Sequence, residues 1–473
     1  MQGHTSVCKC HAVLLVFIMM TSSMSIIAVD ATVSPKATTV WSGSIFLNDG
    51  YNVQNGQILI VQAGTNIFLG DDEEINIDGR ISIIGSLTSP VILESLTGNH
   101  NGIVFNSTSN GLNSNIDNLT INDSKYGITI YASDPKISNL KVVNADNVAV
   151  DLFNGASPII TNLTIVGGGQ DVHASSTSWR YGIGLSVGYN SAPLIDGISI
   201  DGLITRGINF WGNSGGLLSN INITNITGAT LSTSAGIWVE DSIPLLVDVF
   251  VNRCDNGIFI RHQTSNWLTR PSFTNIIIEN SQYRGVMVEQ YNHSQYNNLP
   301  TNAIFENLEI RGTGGPNSKT PGLGYAAFDV NTSGVKINGA LIENNPVVGF
   351  RAYMTDSSTI IENMTLLNNG QTSFNSPMND RAGLFFRSSS WSTKGPAIVN
   401  NLIVNNSSGP GVLMMKGGVI GKNWLVSGNE GNGIDFREFH PRVDTIVSQN
   451  NGRNGLYIYD STNVEISNVV TIA

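Results

Sequence analysis

The chain has 473 residues and a net charge of −11, with 41% apolar and only 12% charged side chains. An acidic chain without a basic run offers nothing to a phosphate backbone, which excludes nucleic acid as a partner. Abundant aliphatic residues at regular spacing exclude disorder, and a surface supplied by Asn, Ser, Thr and Gly suits turn-rich β-structure rather than helix.

Residues 1–31 read as an export signal peptide: Lys9 precedes the apolar run Ala12 to Met20, and small residues offer cleavage after Ala28 or Ala31. The run is short for a membrane span, so the mature chain is expected to be secreted or at the cell surface with no span of its own; retention as an N-terminal anchor is the alternative. Cys8 and Cys10 fall inside the signal, leaving Cys254 as a packing residue and no internal disulfide. Residues 32–39 form a linker.

Residues 40–112 read as variant N-terminal coils, a run of short strands broken by glycine. From Gly102 onward one line recurs about thirteen times. A small anchor is followed by apolar–x–apolar–x, and later by apolar–polar–Asn–apolar–x–apolar. The clear anchors are Gly127, Gly182, Gly207, Gly236, Gly257, Gly285, Gly349, Gly383, Gly411, Gly433 and Gly455, with Asn147 and Ala327 as degenerate ones. A short period of alternating strands marks a solenoid. Like strands recur a full coil apart, which predicts parallel pairing, and the crossover rule predicts a right hand. The fold class is therefore all-β, a single elongated parallel β-helix whose repeats fill 113–473. The last strand carries no polar cap, which suggests a truncated chain.

The Asn of the second strand recurs at Asn118, Asn139, Asn162, Asn220, Asn275, Asn307, Asn363, Asn423 and Asn468. Stacked one strand spacing apart, these side chains are expected to hydrogen-bond along the axis as a buried ladder. The glycosylation acceptors at Asn118, Asn162 and Asn363 would then stay bare, whereas Asn106, Asn292, Asn331 and Asn405 lie in loops.

The opening coils run from Gly56-Gln-Ile-Leu-Ile and Gly64-Thr through Asp78-Gly-Arg-Ile to Pro90-Val-Ile. With the repeats that follow, residues 40–473 resemble the right-handed parallel β-helix proteins of the pectate-lyase-like group. That resemblance implies the solenoid fold and an exported protein. It implies activity less strongly, because the Gly-His-Gly pattern of polygalacturonases and the compact carboxylates of a lyase calcium site are missing.

Outward positions after each anchor form two columns. Their aromatic members Trp211, Trp238, Phe259, Tyr353, Phe385, Tyr457 and Tyr459, set among charges, suit the apolar faces and hydroxyl edges of sugar rings. Longer excursions at 167–181, 290–302, 312–324, 369–381 and 388–395 would wall this face. The first reading is therefore an exported protein that binds extended polysaccharide or a cell-surface glycan. A second is a polysaccharide lyase or glycoside hydrolase. Its catalytic candidates are Glu240, Arg261 and Glu289 on neighbouring coils, or Asp435, Arg437 and His440 near the C-terminus. Two carboxylates two coils apart approach the separation used for inverting hydrolysis, whereas an Arg with a nearby base suits uronate chemistry. A third is an adhesive spacer with a protein partner. The scattered histidines predict no metal or other cofactor, with Ca2+ needed only under the lyase reading.

Overall fold

The computed structural model describes residues 37–169, 181–228, 234–263, 269–290, 302–314, 325–353, 359–371, 381–387 and 396–472. The expected signal peptide, most of the expected linker, Asn292 and most of the five expected loops lie outside the described residues. From Thr38–Trp41 to Glu465–Ile472 the chain winds as a parallel β-solenoid of about 15 turns. Every strand–strand ladder described is parallel, and between the first and last coils each strand pairs with its copies one coil before and one coil after. The described residues hold no α-helix.

A coil has three straight segments, and two of its corners are single residues. Within Asn115–Tyr131 the register to the next coil runs through Asp117, breaks at Asn118, resumes at Leu119 and breaks again at Asp123. Both breaks are residues with left-handed backbone, at φ 51° and 52°. Asn and Asp tolerate that conformation better than other residues with a Cβ because their short polar side chains bond locally. The first left-handed column holds all nine recurring asparagines, and Gly197, Asp248, Gly339, Asn401 and Thr445 complete it.

The first column does form an axial ladder. Asn162 donates to Asn139 (2.9 Å), Asn307 to Asn275 (3.1 Å), Asn401 to Asn363 (2.9 Å) and Asn423 to Asn401 (3.0 Å). Asp196 accepts from Asn220, Asp248 from Asn275 and Asp444 from Asn468. Asn118 reaches the Gly85 carbonyl at 3.5 Å. The expectation of a buried ladder needs correcting, since the side chains sit on the outside of the corner: Asn118 alone is buried, Asn139 is half-buried and the other seven are exposed. A second left-handed column follows five residues behind the first, as in Asn139 and Asn144, Asn220 and Asn225, Asn275 and Asn280, or Asn363 and Asn368. It forms a ladder of its own: Asn144 donates to Asp123 (3.1 Å) and Asn368 to Asn344 (2.9 Å).

Alternate side chains fill a continuous dry interior. Phe273 stacks on Phe305 and Phe328 on Phe350, each one coil apart, at 4.9 and 5.2 Å, and Phe305 meets Phe328 edge-on across the interior at 5.2 Å. The position after the second corner also points inward. There Asn345 donates to Asn369 (2.8 Å) and Asn429 to Asn451 (2.9 Å), a third ladder inside the protein. Cys254 occupies the same position, buried and free, and burial pushes its thiol up to about 12. A thiol held protonated in this way is a packing group rather than a nucleophile.

His100 is fully buried. Its Nδ1 accepts the Gly102 amide at 3.0 Å, and Nε2 donates to the Asn122 carbonyl at 3.1 Å, which fixes the neutral tautomer. Burial lowers its pKa from 6.5 to about 4, against the opposing pull of the Asn122 carbonyl and the Asp123 charge. Between those values the unfolded chain binds the extra proton, so stability is fully present above about pH 6.5 and is lost as pH falls towards 4, by up to about 3 kcal/mol. Chemical denaturation of wild type and His100→Gln from pH 7 to 4 should show the gap between them shrinking by about that amount. A gap independent of pH would remove His100 from the acid response.

Candidate functional site

One of the three sheets carries the anchors, and its register resets two coils of the outward columns. Thr129 pairs with Asp151 and Tyr131 with Phe153; Asp151 pairs with Ser186, and Gly188 with Trp211. The anchors on these coils are thus Ala149 and Gly184, two residues later than Asn147 and Gly182. A slip of two leaves every side chain on its own face, so alternation alone cannot detect it. The outermost column then reads Tyr131, Phe153, Gly188, Trp211, Glu240, Arg261, Glu289, Asn331, Tyr353, Arg387, Met415, Arg437 and Tyr459.

At the N-terminal end of this column four rings form a platform. Tyr131 meets Phe153 edge-on at 5.3 Å, Phe153 meets Tyr189 at 5.3 Å and Trp211 at 5.6 Å, and Tyr189 meets Trp211 at 4.3 Å. Tyr131, Phe153 and Trp211 are half-exposed and Tyr189 is 39% exposed. Gly188 makes the platform flat: a Cβ there would lie 2.5 Å from the Trp211 indole, which folds across its strand. The indole Nε1 donates to Ser186 Oγ at 3.3 Å and pins the ring from one edge. Of the four rings only Trp211 was in the expected binding set; Tyr131, Phe153 and Tyr189 were absent from it. The corrected register would have supplied Phe153, and Tyr189 follows Gly188 at a left-handed corner.

Trp238, Phe259 and Phe385 were expected as exposed aromatics of the same face, and this is corrected: all three are buried. Trp238 and Phe259 stack at 4.3 Å and 8°, and Ala235 and Met287 close the cluster. The Arg206 guanidinium lies 3.9 Å over the Trp238 ring, and Trp238 Nε1 donates to Glu240 at 3.3 Å. Phe385 packs with Leu413, Val348 and Ala382, with Tyr353 half-exposed against its edge at 5.6 Å. These side chains do point away from the coil interior, but their neighbours cover them. Tyr457 is half-exposed and Tyr459 exposed.

Beyond Trp211 the column turns ionic. Glu240 pairs in register with Arg261, and Arg261 with Glu289, whose carboxylate takes the Arg261 Nε at 2.6 Å. Burial raises the Glu240 carboxyl above its ordinary range, opposed by the charges of Arg206 and Arg261 and by the Trp238 bond. Burial also lowers Arg206 to about 9. One coil beyond Glu289, the buried Asp329 carboxylate takes Nε and Nη2 of Arg351 (2.9 and 2.5 Å) and Nε of Arg284 (3.0 Å).

The second catalytic set divides. Arg437 grips the buried Asp435 through both oxygens at 2.8 and 2.9 Å, with Asn432 donating to the same carboxylate at 2.8 Å. His440 lies past the left-handed corner at Glu438, on the next sheet, with Nδ1 2.6 Å from the Thr462 carbonyl. Among the described residues no group of three His, Cys, Asp or Glu could hold a metal ion.

Residues 254–438 and 330–472 match the family described as the right handed beta helix region. The chain folds as a right-handed parallel β-helix. No curated protein matches it in sequence. Among solved structures, an alginate lyase from Paenibacillus sp. is similar at 16% identity over 58% of this chain and 93% of its own, with a TM-score of 0.36. The A-module of a mannuronan C-5 epimerase from Azotobacter vinelandii is 12% identical over 88% of this chain and 90% of its own, at 0.39. A periplasmic alginate epimerase is 10% identical over 81% and 77%, at 0.41. Likenesses of this size say nothing of what this β-helix acts on.

Proposed function

We propose that this β-helix is an exported protein that binds an extended polysaccharide along the anchor-bearing sheet, with Tyr131, Phe153, Tyr189 and Trp211 as the stacking surface. The observation that carries the reading is the contiguous, half-exposed contact of those four rings. Their strands span about 14 Å at the usual spacing, enough for a few sugar rings laid face-on. Glu240, Arg261 and Glu289 continue the same line as a polar edge for hydroxyls, and Tyr353, Tyr457 and Tyr459 lie farther along it. Export is consistent with the N-terminal apolar run, and no helix among the described residues is long and apolar enough to cross a membrane.

Trp211→Ala removes the largest ring of the platform and should weaken polymer binding about 30-fold, or about 2 kcal/mol, with little change in melting. Isothermal titration against soluble polysaccharides reads this directly, and an unchanged affinity would place the binding face elsewhere.

A second reading, glycoside cleavage, is favoured by Glu240. Burial raises the Glu240 carboxyl, which is the direction a group that donates a proton to a leaving oxygen needs. Glu289 lies two strands away, about 9–10 Å, near the upper limit for an inverting pair. New reducing ends released by wild type but not by Glu240→Gln would establish it, and their absence across polymers that bind would leave a binding protein.

A further inference from the structure

Resting on the glycan-binding reading, we infer that the anchor-bearing sheet holds two separate stacking zones, and so selects a linear polysaccharide by length, taking chains of about nine units or more over short oligosaccharides. The first zone is the platform, whose rings from Tyr131 to Trp211 occupy consecutive coils. The second runs from Tyr353 to Tyr459 in the same outermost column. Tyr353 is half-exposed, with the buried Arg351 guanidinium 5.2 Å from its ring and Phe385 edge-on at 5.6 Å. At the far end Tyr457 is half-exposed, with the Arg437 guanidinium 5.8 Å from its ring. Tyr459, two residues on and on the same side of the strand, is 57% exposed. Arg387 and Met415 stand in register between Tyr353 and Arg437, the first exposed and the second half-exposed.

Between the zones the column changes character. From Trp211 to Tyr353 it passes through Glu240, Arg261, Glu289 and Asn331. The rings beside this stretch, Trp238 and Phe259, are buried, and Arg261 is engaged by Glu289. Among the described residues the anchor strands of these coils therefore offer a sugar no exposed ring. The gap measures about 24 Å at the usual strand spacing, and the second zone about 19 Å. A sugar unit of an extended chain advances roughly 5 Å, close to one strand spacing, so about four units fill the platform and about nine are needed to fill it and reach Tyr353. The parallel ladders hold the two zones at a fixed separation along one sheet. Once a single chain spans that separation, its second contact becomes intramolecular, and affinity rises without any new kind of contact.

The test titrates the full chain calorimetrically with mixed-linkage β-glucan, alginate and polygalacturonate, each uncut and as sized fragments of about four to about fourteen units. For a polymer that binds, affinity should stay level up to about five units and rise at least about 30-fold by about ten. Tyr353→Ala combined with Tyr459→Ala, shown by melting to be folded, should cut that ratio to a few-fold. Tyr459→Ala alone, at an exposed ring, should weaken fragments of about fourteen units more than those of about ten. A gradual several-fold rise without a step, which the extra sliding positions of a longer chain supply, overturns the second zone and leaves the platform in place. A step that survives intact in the folded variants overturns the part given to the tyrosines. Binding to none of the uncut polymers overturns the glycan reading itself, and the length dependence with it.

Discussion

Replacing Asp329 by Ala should destabilise the solenoid by about 3–5 kcal/mol, because breaking a buried ion pair leaves a charge without compensation. The carboxylate is 2% exposed and serves two cations at once, Arg351 through both oxygens and Arg284 through one. Its removal takes away the carboxylate that the two guanidinium groups share. Asp329→Asn keeps one acceptor oxygen and should lose less. Hydrogen exchange should speed up first in Arg284–Gln290 and Val348–Tyr353, the strands on either side, since a repeat protein opens through its nearest-neighbour contacts. A loss below about 1 kcal/mol would mean that the arginines reach solvent unaided.

Trp238→Ala should cost a comparable amount, about 3–5 kcal/mol, as expected for truncating a fully buried aromatic side chain. Three partners lose their contact together: the stacked Phe259 ring, the Arg206 guanidinium and the Glu240 carboxylate. Trp238→Phe retains a ring for Phe259 and Arg206 and gives up the bond to Glu240, so its cost should be smaller. The pair also separates folding from recognition. Trp238→Phe should leave polymer affinity within about twofold of wild type, whereas Trp211→Ala loses affinity and little stability. If Trp238→Ala melts like wild type, the ring is not the buried keystone that its 1% exposure indicates.

The solenoid was legible because a period of two repeated over a period of one coil leaves few alternatives. Ile128, Ile130, Ile258 and Ile260 point inward for the reason their spacing suggests. The site was less legible, for three physical reasons. Alternation is blind to a slip of two, which hid Phe153 and placed Asp151 in the wrong column. Which outward side chains stay exposed depends on groups that arrive from other coils: Arg206, at the start of the preceding strand, covers Trp238, and no local pattern foretells it. The second left-handed column was written in the chain as Asn followed five residues later by Asn, Asp or Gly. It passed unnoticed because only the first column precedes an obvious apolar pair.

That spacing of five has a consequence for how such a protein can change. It is the same at Asn118–Asp123, Asn275–Asn280 and Asn401–Asn406, so one arm of each coil from Asn118 onward is a fixed length of chain. All variation in coil length is left to the stretches that enter and leave the anchor-bearing sheet, such as 169–181 and 290–302. Inserted or exchanged sequence at those two borders need not disturb either amide file. Selection could therefore rewrite what surrounds the aromatic surface, coil by coil, while the rest of the scaffold keeps its gauge.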